Sequence, residues 1–337
     1  MLKKMSFYVT FLIVLTIVLS VGIWWSQAQQ AVRTIPSGET ASKLTQSSEL
    51  EKTVPMEQSG PPKVELLPQS VKKQKWYDNQ VVVLMYHHVS DKTDRRYEIS
   101  PSEFKAHLDF LYQNDFHPIS LSEFLRFIDT GVLMTDNAVL ITFDDGYESY
   151  YTQAFPLLKQ YQFPSVNFLI ASRLRDSIER KRENMTTPLS DLQVKELLAS
   201  GLADIGSHTY SLHEQREKNE WGELAPETAP VYLEDLSRLE EEGEYRNRLY
   251  VDFMMSRAAL SQVAEKEIKV ISFPFGFTND IVTETAEQAG YKYAFNSKPA
   301  VVKQGTNPLA IPRFDVGLHE VDTAHLLELF TRVKTNF

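Results

Sequence analysis

Two short polar segments hold most of the side chains in this sequence that could do chemistry. The first is Asp144-Asp145, within Thr142-Phe143-Asp144-Asp145-Gly146-Tyr147, a pair of adjacent carboxylates behind an apolar run. Adjacent carboxylates repel, and the pKa of one rises unless a cation or a hydrogen-bond donor intervenes. A hard or borderline metal ion removes the repulsion by ligating one carboxylate and leaving the other as a base. An ordinary Asp-Asp-Gly turn after a strand uses the same three residues. The second segment is His208-Thr209-Tyr210-Ser211-Leu212-His213, with two imidazoles five positions apart. On a helix they would stand roughly 140° apart, so they converge only on a loop or an irregular turn. The alternative is a pair of partly exposed histidines with no shared ligand. One Asp, two His and a water would form a catalytic zinc site with an open position. Cysteine is absent, which excludes disulfides, thiolate ligands and a thiol nucleophile.

These segments need a scaffold, and the hydrophobic pattern supplies one. Val81–Met85 is a continuous apolar run, as expected of a strand buried on both faces. Further strands are predicted at Ala138–Phe143, Ser165–Ile170, Ala203–Gly206 and Val270–Phe273, with short ones at Tyr293–Phe295 and Leu309–Pro312. Between them lie helical patterns. Ser100-Pro101-Ser102-Glu103, Ser120 to Glu123 and Ser190 to Gln193 read as capping boxes, and Gly131, Gly201 and Gly290 as stops. Further helices are expected from Tyr150 to near Tyr161, around Asp252–Lys266, over Asp280–Ala289 and over Thr323–Val333. This alternation predicts one α/β domain, a distorted (β/α) barrel of about seven strands, because no G-x-G-x-x-G or Walker loop marks a doubly wound nucleotide binder. Barrel chemistry sits on loops at the C-terminal ends of strands. Four polar or special segments directly follow predicted strands: Tyr86-His87-His88, Asp144-Asp145-Gly146, Ser207-His208 through His213, and Pro274-Phe275-Gly276. Asp and His residues are thereby gathered at one mouth.

Taken together, the Thr142–Tyr147 segment, Ser207-His208-Thr209 with His213, and Phe273-Pro274-Phe275-Gly276 resemble the polysaccharide deacetylases (carbohydrate esterase family 4, NodB-like domain). The Leu84-Met85-Tyr86-His87 opening and the His-x4-His spacing are most similar to the poly-β-1,6-N-acetylglucosamine N-deacetylase branch. The resemblance runs from Val81 to Arg313. It implies that Asp144 is the general base and that Asp145, His208 and His213 hold a divalent metal, zinc first, with cobalt, nickel or iron as alternatives. It also implies an oxyanion hole completed by the Phe275 backbone N–H, and substrate contacts from His87, Tyr147 and Phe275. The implied reaction is hydrolysis of N-acetyl groups on an extracellular N-acetylglucosamine polymer. Peptidoglycan is the alternative substrate. A catalytically weak polysaccharide-binding module is the alternative outside enzymes. Two departures motivate that last reading. Ile271 stands where the family often has an Arg that orients the base, and Arg313 is the replacement within reach of another strand end. The late Leu-x-His acid of the family is represented only by Leu318-His319, which makes His319 the acid expected from sequence.

The remainder of the chain concerns placement. The 337 residues carry 11% aromatics and a net charge of −10, which argues against both a disordered chain and a nucleic-acid partner. Residues 76–337 hold 26 Lys/Arg against 40 Asp/Glu, a net of −14, so the first 75 are slightly basic. Phe7 to Trp25 is 19 residues without a charge, preceded by Lys3 and Lys4. A membrane span needs about 20 apolar residues. The expectation is an N-terminal anchor or signal over 1–25, with everything after it outside the cytoplasm. Cleavage near Ser26-Gln27-Ala28 would release the chain as a secreted protein. Residues 26–78 are poor in aromatics and rich in Pro, Ser, Thr and Gln, and read as a disordered tether. The catalytic domain is expected over 79–337. Within it, Glu214 to Val251 is acid-rich and reads as a solvated insertion, or as an acidic rim retaining a cationic polymer with Trp221 and Tyr245 stacking on sugars.

Overall fold

The computed structural model describes residues 73–91, 96–174 and 186–336. The expected anchor, and the tether up to residue 72, lie outside the described residues. Among the described residues no helix is long and apolar enough to cross a membrane.

Seven strands form the scaffold: β1 (Gln80–Tyr86), β2 (Ala138–Phe143), β3 (Ser165–Leu169), β4 (Ala203–Ser207), β5 (Val270–Ser272), β6 (Tyr293–Phe295) and β7 (Phe314–Asp315). They pair in parallel in the order β6-β5-β4-β3-β2-β1-β7. Two short segments lie outside this path: His117–Pro118 runs parallel to β2, and Val302–Lys303 antiparallel to β1. The stretch leading into β7 touches both edges of the sheet. Ile311 bridges Phe295 on β6, and Phe314 and Asp315 pair with Leu84 and Met85 on β1. This contact curves the sheet into a barrel-like ring.

Burial on both faces explains the unbroken apolar runs. On β1, Val81 and Val83 belong to one buried cluster, whereas Val82, Leu84 and Tyr86 belong to another, the two-residue period of a strand. The first cluster also takes Leu140, Val166, Phe168, Val270, Phe295 and Ile311, and is the barrel interior. Each such side chain contributes roughly 1.5–3 kcal/mol by leaving water. Gly206 faces this interior, where a Cβ would stand 2.5 Å from the Phe168 ring. The second cluster lies under the helices.

Those helices are α1 (Pro101–Gln113), α2 (Leu121–Thr130), α3 (Phe155–Tyr161), α4 (Asp191–Ala199), α5 (Glu242–Ala264), α6 (Asp280–Gln288) and α7 (Thr323–Asn336). The boxes at Ser100 and Ser190 form reciprocally as the sequence predicts. Ser120 caps α2 through the Glu123 N–H, but the Glu123 carboxylate turns to Thr135, so that box is half made. A π-turn over Tyr150–Ala154 precedes α3.

Three boundaries differ from the sequence reading. The strand expected at Leu309–Pro312 is only a bridge at Ile311, and the last strand forms at Phe314–Asp315. Trp76 and Tyr77, assigned to the tether, are buried against Phe116 and Phe330, and their backbone N–H groups donate to Asn137 Oδ1. The helix expected near Asp252 begins ten residues earlier, at Glu242. Its acid-rich start resembled a solvated loop, yet Glu241 and Glu244 form a capping box and, with Glu242, suit the positive end of the helix dipole. Tyr245, Leu249, Asp252, Phe253, Ser256 and Leu260 form its buried face. The insertion therefore shrinks to residues 214–241. It holds a hairpin, Gln215–Glu217 with Leu224–Pro226, whose tip carries the exposed Trp221. Tyr245 does not line a sugar site. It is buried, and its hydroxyl donates to the Thr228 carbonyl.

Candidate active site

All four polar segments sit where their strands end, and three of them bend there in the same way. Asp145 (φ 74°), Thr209 (φ 70°) and Phe275 (φ 57°) each lie two or three residues past a strand, in the left-handed region that non-glycine residues seldom adopt. Next to Phe275, Gly276 is also left-handed, and a Cβ there would fall 1.8 Å from Ser297 Oγ.

The bend at Asp145 sends the two neighbouring carboxylates into different surroundings. Asp144 points into the barrel interior and meets Arg313, which is 1% exposed. The guanidinium donates from Nη1 to Asp144 Oδ1 and from Nη2 to Oδ2, both at 2.7 Å. It also donates to Thr142 Oγ1, Ser272 Oγ and the Asn296 carbonyl, so its planar fork is fully occupied. The Phe168 and Phe295 rings flank it at 5.6 and 6.0 Å. Burial pushes the Asp144 carboxyl up, but the charges of Arg313 and His208 outweigh burial and hold it at about 2. It is ionised at any physiological pH.

Asp145 turns the other way, toward the histidines. Its Oδ1 lies 2.8 Å from His213 Nε2 and 3.4 Å from His208 Nε2. One donor atom from each of the three residues lies within 4.8 Å of the others, and Asp145 and His208 are buried. His208 Nδ1 sits 2.8 Å from the Ser272 carbonyl, which can only accept, so the ring proton is on Nδ1. In the neutral ring, Nε2 then presents a lone pair to the lone pairs of the buried Asp145 Oδ1, whose nearer neighbour is His213 Nε2. Lone pairs facing one another repel, and a cation between them reverses the sign. The residues therefore fit a divalent cation: two imidazoles and one carboxylate, with one imidazole already oriented by a backbone carbonyl. Burial raises the Asp145 carboxyl, yet the two histidines take it well below the usual range.

The remaining predicted residues divide into two groups. His87, at the end of β1, is close enough to Asp144, Asp145 and Asp315 to act electrostatically on each. Its Nδ1 is buried without a hydrogen-bond partner among the described residues, and its ring lies 4.9 Å from Tyr97. Phe275 is half exposed and stacks on His213 at 5.2 Å, which places its backbone beside that ligand. Tyr147 stays at the rim, with its ring 5.1 Å from His88 and its backbone bridged to Pro188. His319 is not brought to the triad, a correction to the sequence expectation. The loop after β7 puts it on the surface, 58% exposed, with Nδ1 3.0 Å from Glu103 Oε1 on α1. The cause is local: Val316 and Gly317 donate to the Met85 carbonyl, and Gly317 packs against Tyr86 where no Cβ fits. That turn carries the chain over the end of β1 and leaves His319 on the surface beside the start of α1.

Sequence reasoning missed Ser272 and Asp315. Ser272 serves both halves, its hydroxyl on Asp144 and Arg313 and its carbonyl on His208. Asp315 has a buried Oδ1 without a partner among the described residues, and burial raises its pKa while His87 and Arg313 oppose the rise. Both close their strands, Ser272 at the end of β5 and Asp315 at the end of β7, the positional signal that also marks Asp144 and His208.

Residues 132–294 match the family model for polysaccharide deacetylases. The chain carries a polysaccharide deacetylase domain. Among similar proteins, the poly-beta-1,6-N-acetyl-D-glucosamine N-deacetylase of Staphylococcus aureus strain MSSA476 is 28% identical over 258 residues, covering 72% of this chain and 81% of the relative. The Escherichia coli K12 protein of the same name is 30% identical over 233 residues, which is 66% of this chain but 34% of the relative. The chain thus spans about a third of the length of that relative. The solved structure of a de-N-acetylase from Aggregatibacter actinomycetemcomitans superimposes with a TM-score of 0.66 at 28% identity, over 74% of this chain and 99% of that one. IcaB from Ammonifex degensii gives 0.61 at 25% identity, over 75% and 97%. These two structures share the fold of this chain's polysaccharide deacetylase domain.

Proposed function

We propose that this chain hydrolyses N-acetyl groups on poly-β-1,6-N-acetylglucosamine, releasing acetate, with a zinc-class cation held by Asp145, His208 and His213. The observation that carries the reading is the pairing of an always-ionised carboxylate, Asp144, with an adjacent cluster of under-satisfied metal-type ligands. The names of the Staphylococcus aureus and Escherichia coli relatives support the choice of polymer.

When bound, the cation would polarise the acetamide carbonyl and acidify a water. Asp144 takes the proton as the water attacks. Arg313 keeps that carboxylate ionised and in one orientation. The Phe275 backbone, in a left-handed turn beside His213, would supply an N–H to the oxygen that gains negative charge. The C–N bond then breaks, and the departing amine needs a proton. His87 supplies it, being the imidazole at the end of β1 that acts electrostatically on both carboxylates, whereas His319 is engaged by Glu103. Acetate and a free amino sugar result. The uncharged run Phe7–Trp25 supports a tethered position on the outer face of a bacterial plasma membrane. Protease accessibility on intact cells tests that placement.

Acetate release from β-1,6-linked N-acetylglucosamine oligomers and from peptidoglycan, with and without a chelator, tests the whole reading. The expected result is chelator-sensitive acetate from the β-1,6 oligomers. Release only from peptidoglycan overturns the polymer assignment. No acetate from either, with zinc present, leaves a binding module.

A further inference from the structure

The six-residue loop that holds His208 and His213 has to do something its sequence disfavours. Thr209 is β-branched and fully buried, yet sits at φ 70°. Without that turn the two imidazoles would not converge. Within the loop Thr209 Oγ1 accepts the Leu212 N–H at 3.2 Å, and the neighbouring backbone donors are met from the buried face of α5. Asp252, 6% exposed, accepts the Tyr210 N–H on Oδ1 at 2.8 Å. Its Oδ2 accepts the Ser211 N–H at 2.9 Å and the Ser211 hydroxyl at 3.2 Å. One turn along α5, Ser256 Oγ meets Ser207 Oγ at 2.7 Å, and that Ser207 oxygen accepts the Thr209 N–H at 3.1 Å. Three successive backbone donors of the loop, at 209, 210 and 211, are therefore received by a network standing on two residues of one helix face. The carbonyls of Thr209 and Tyr210 are held from the opposite side by the N–H groups of Ala171 and Ser172.

We propose that Asp252, supported by Ser256, is a positioning residue for the metal centre: it templates the 208–213 loop so that both imidazoles face Asp145 before any cation arrives. The inference rests on the metal reading of the triad. Asp252 touches neither histidine ring, so its effect passes through the loop backbone. A neutral amide cannot replace it, because the nitrogen of an Asn would set a donor against one of the two backbone donors.

The test is Zn2+ affinity of the full chain, measured by competition with a chromophoric chelator and set beside the thermal stability of the zinc-free protein. Asp252→Asn is expected to fold and to bind Zn2+ about 10- to 100-fold more weakly, the range for outer partners of metal ligands. Ser256→Ala is expected to weaken binding in the same direction by less. A folded Asp252→Asn with unchanged Zn2+ affinity overturns the proposal, including the case in which only its stability falls. Should Asp252→Asn fail to fold, unchanged affinity in Ser256→Ala overturns it. If the unaltered chain takes up no Zn2+, the metal reading and this inference fall together; if it does and the variants match it, only this inference falls.

Discussion

Asp144 and Asp145 are neighbours in the chain and opposites in the site. Around Asp144 every strong donor and acceptor is matched: both carboxylate oxygens are taken by Arg313, and the guanidinium has no donor to spare. Around Asp145 the matching stops, with a buried oxygen and imidazole nitrogens facing one another at 2.8 and 3.4 Å. A saturated cluster is rigid and holds its carboxylate ionised in one place. An unsaturated one, buried and held in place from behind, is prepared to bind. One half of the site thus suits a fixed base, and the other suits a cation.

The largest effect should come from removing the base without disturbing its neighbour. Asp144→Asn is expected to lower kcat by about 10²- to 10⁴-fold with zinc stoichiometry unchanged, read by acetate release and metal analysis on the same sample. Loss of zinc in that variant would show that the two halves are not separable. Next in size is Arg313→Met, which leaves Asp144 buried and unpaired and should cost about 3–5 kcal/mol in urea unfolding. The sign with pH follows from the depressed carboxyl. Its contribution is present above the unfolded Asp pKa of ~3.9 and is lost as pH falls toward about 2, so the variant and the parent should converge in acid.

On the other half, burial lowers the His213 pKa, but the Asp145 carboxylate outweighs burial and raises it. A cation must displace that proton, so zinc affinity should weaken about tenfold per pH unit as pH falls below the raised His213 value. Titrations at several pH values check this, and a flat profile would remove His213 from the ligand set. The smallest effect belongs to Ile271, which stands at the family's arginine position but packs at 0% exposure on β5. Ile271→Val should cost about 0.5–1.5 kcal/mol of stability and leave kcat unchanged, since Arg313 does the orienting.

Much of the scaffold was legible because strands buried on both faces write continuous apolar runs, and because Ser-x-x-Glu and Gly mark helix ends locally. The start of α5 was not legible, since the same glutamates serve a solvated loop and a helix N-terminus. His319 misled for a related reason: a short Leu-His pair carries no information about which way the turn after β7 goes. With Gly317 packed on Tyr86 and His319 held by Glu103 on the surface, the proposed acid role falls to His87.

By itself the sequence determined the residue types that could meet at a strand-end mouth, and the absence of cysteine limited them to oxygen and imidazole donors. Local chemistry and periodicity suffice for that, because both are properties of short segments. Only the tertiary structure decided which partner each group receives. Arg313 reaches Asp144 across 169 positions, and Asp252 reaches the histidine loop across 42. Pairings at that separation depend on how the strands order and how the ring curves. No spacing within a segment encodes them.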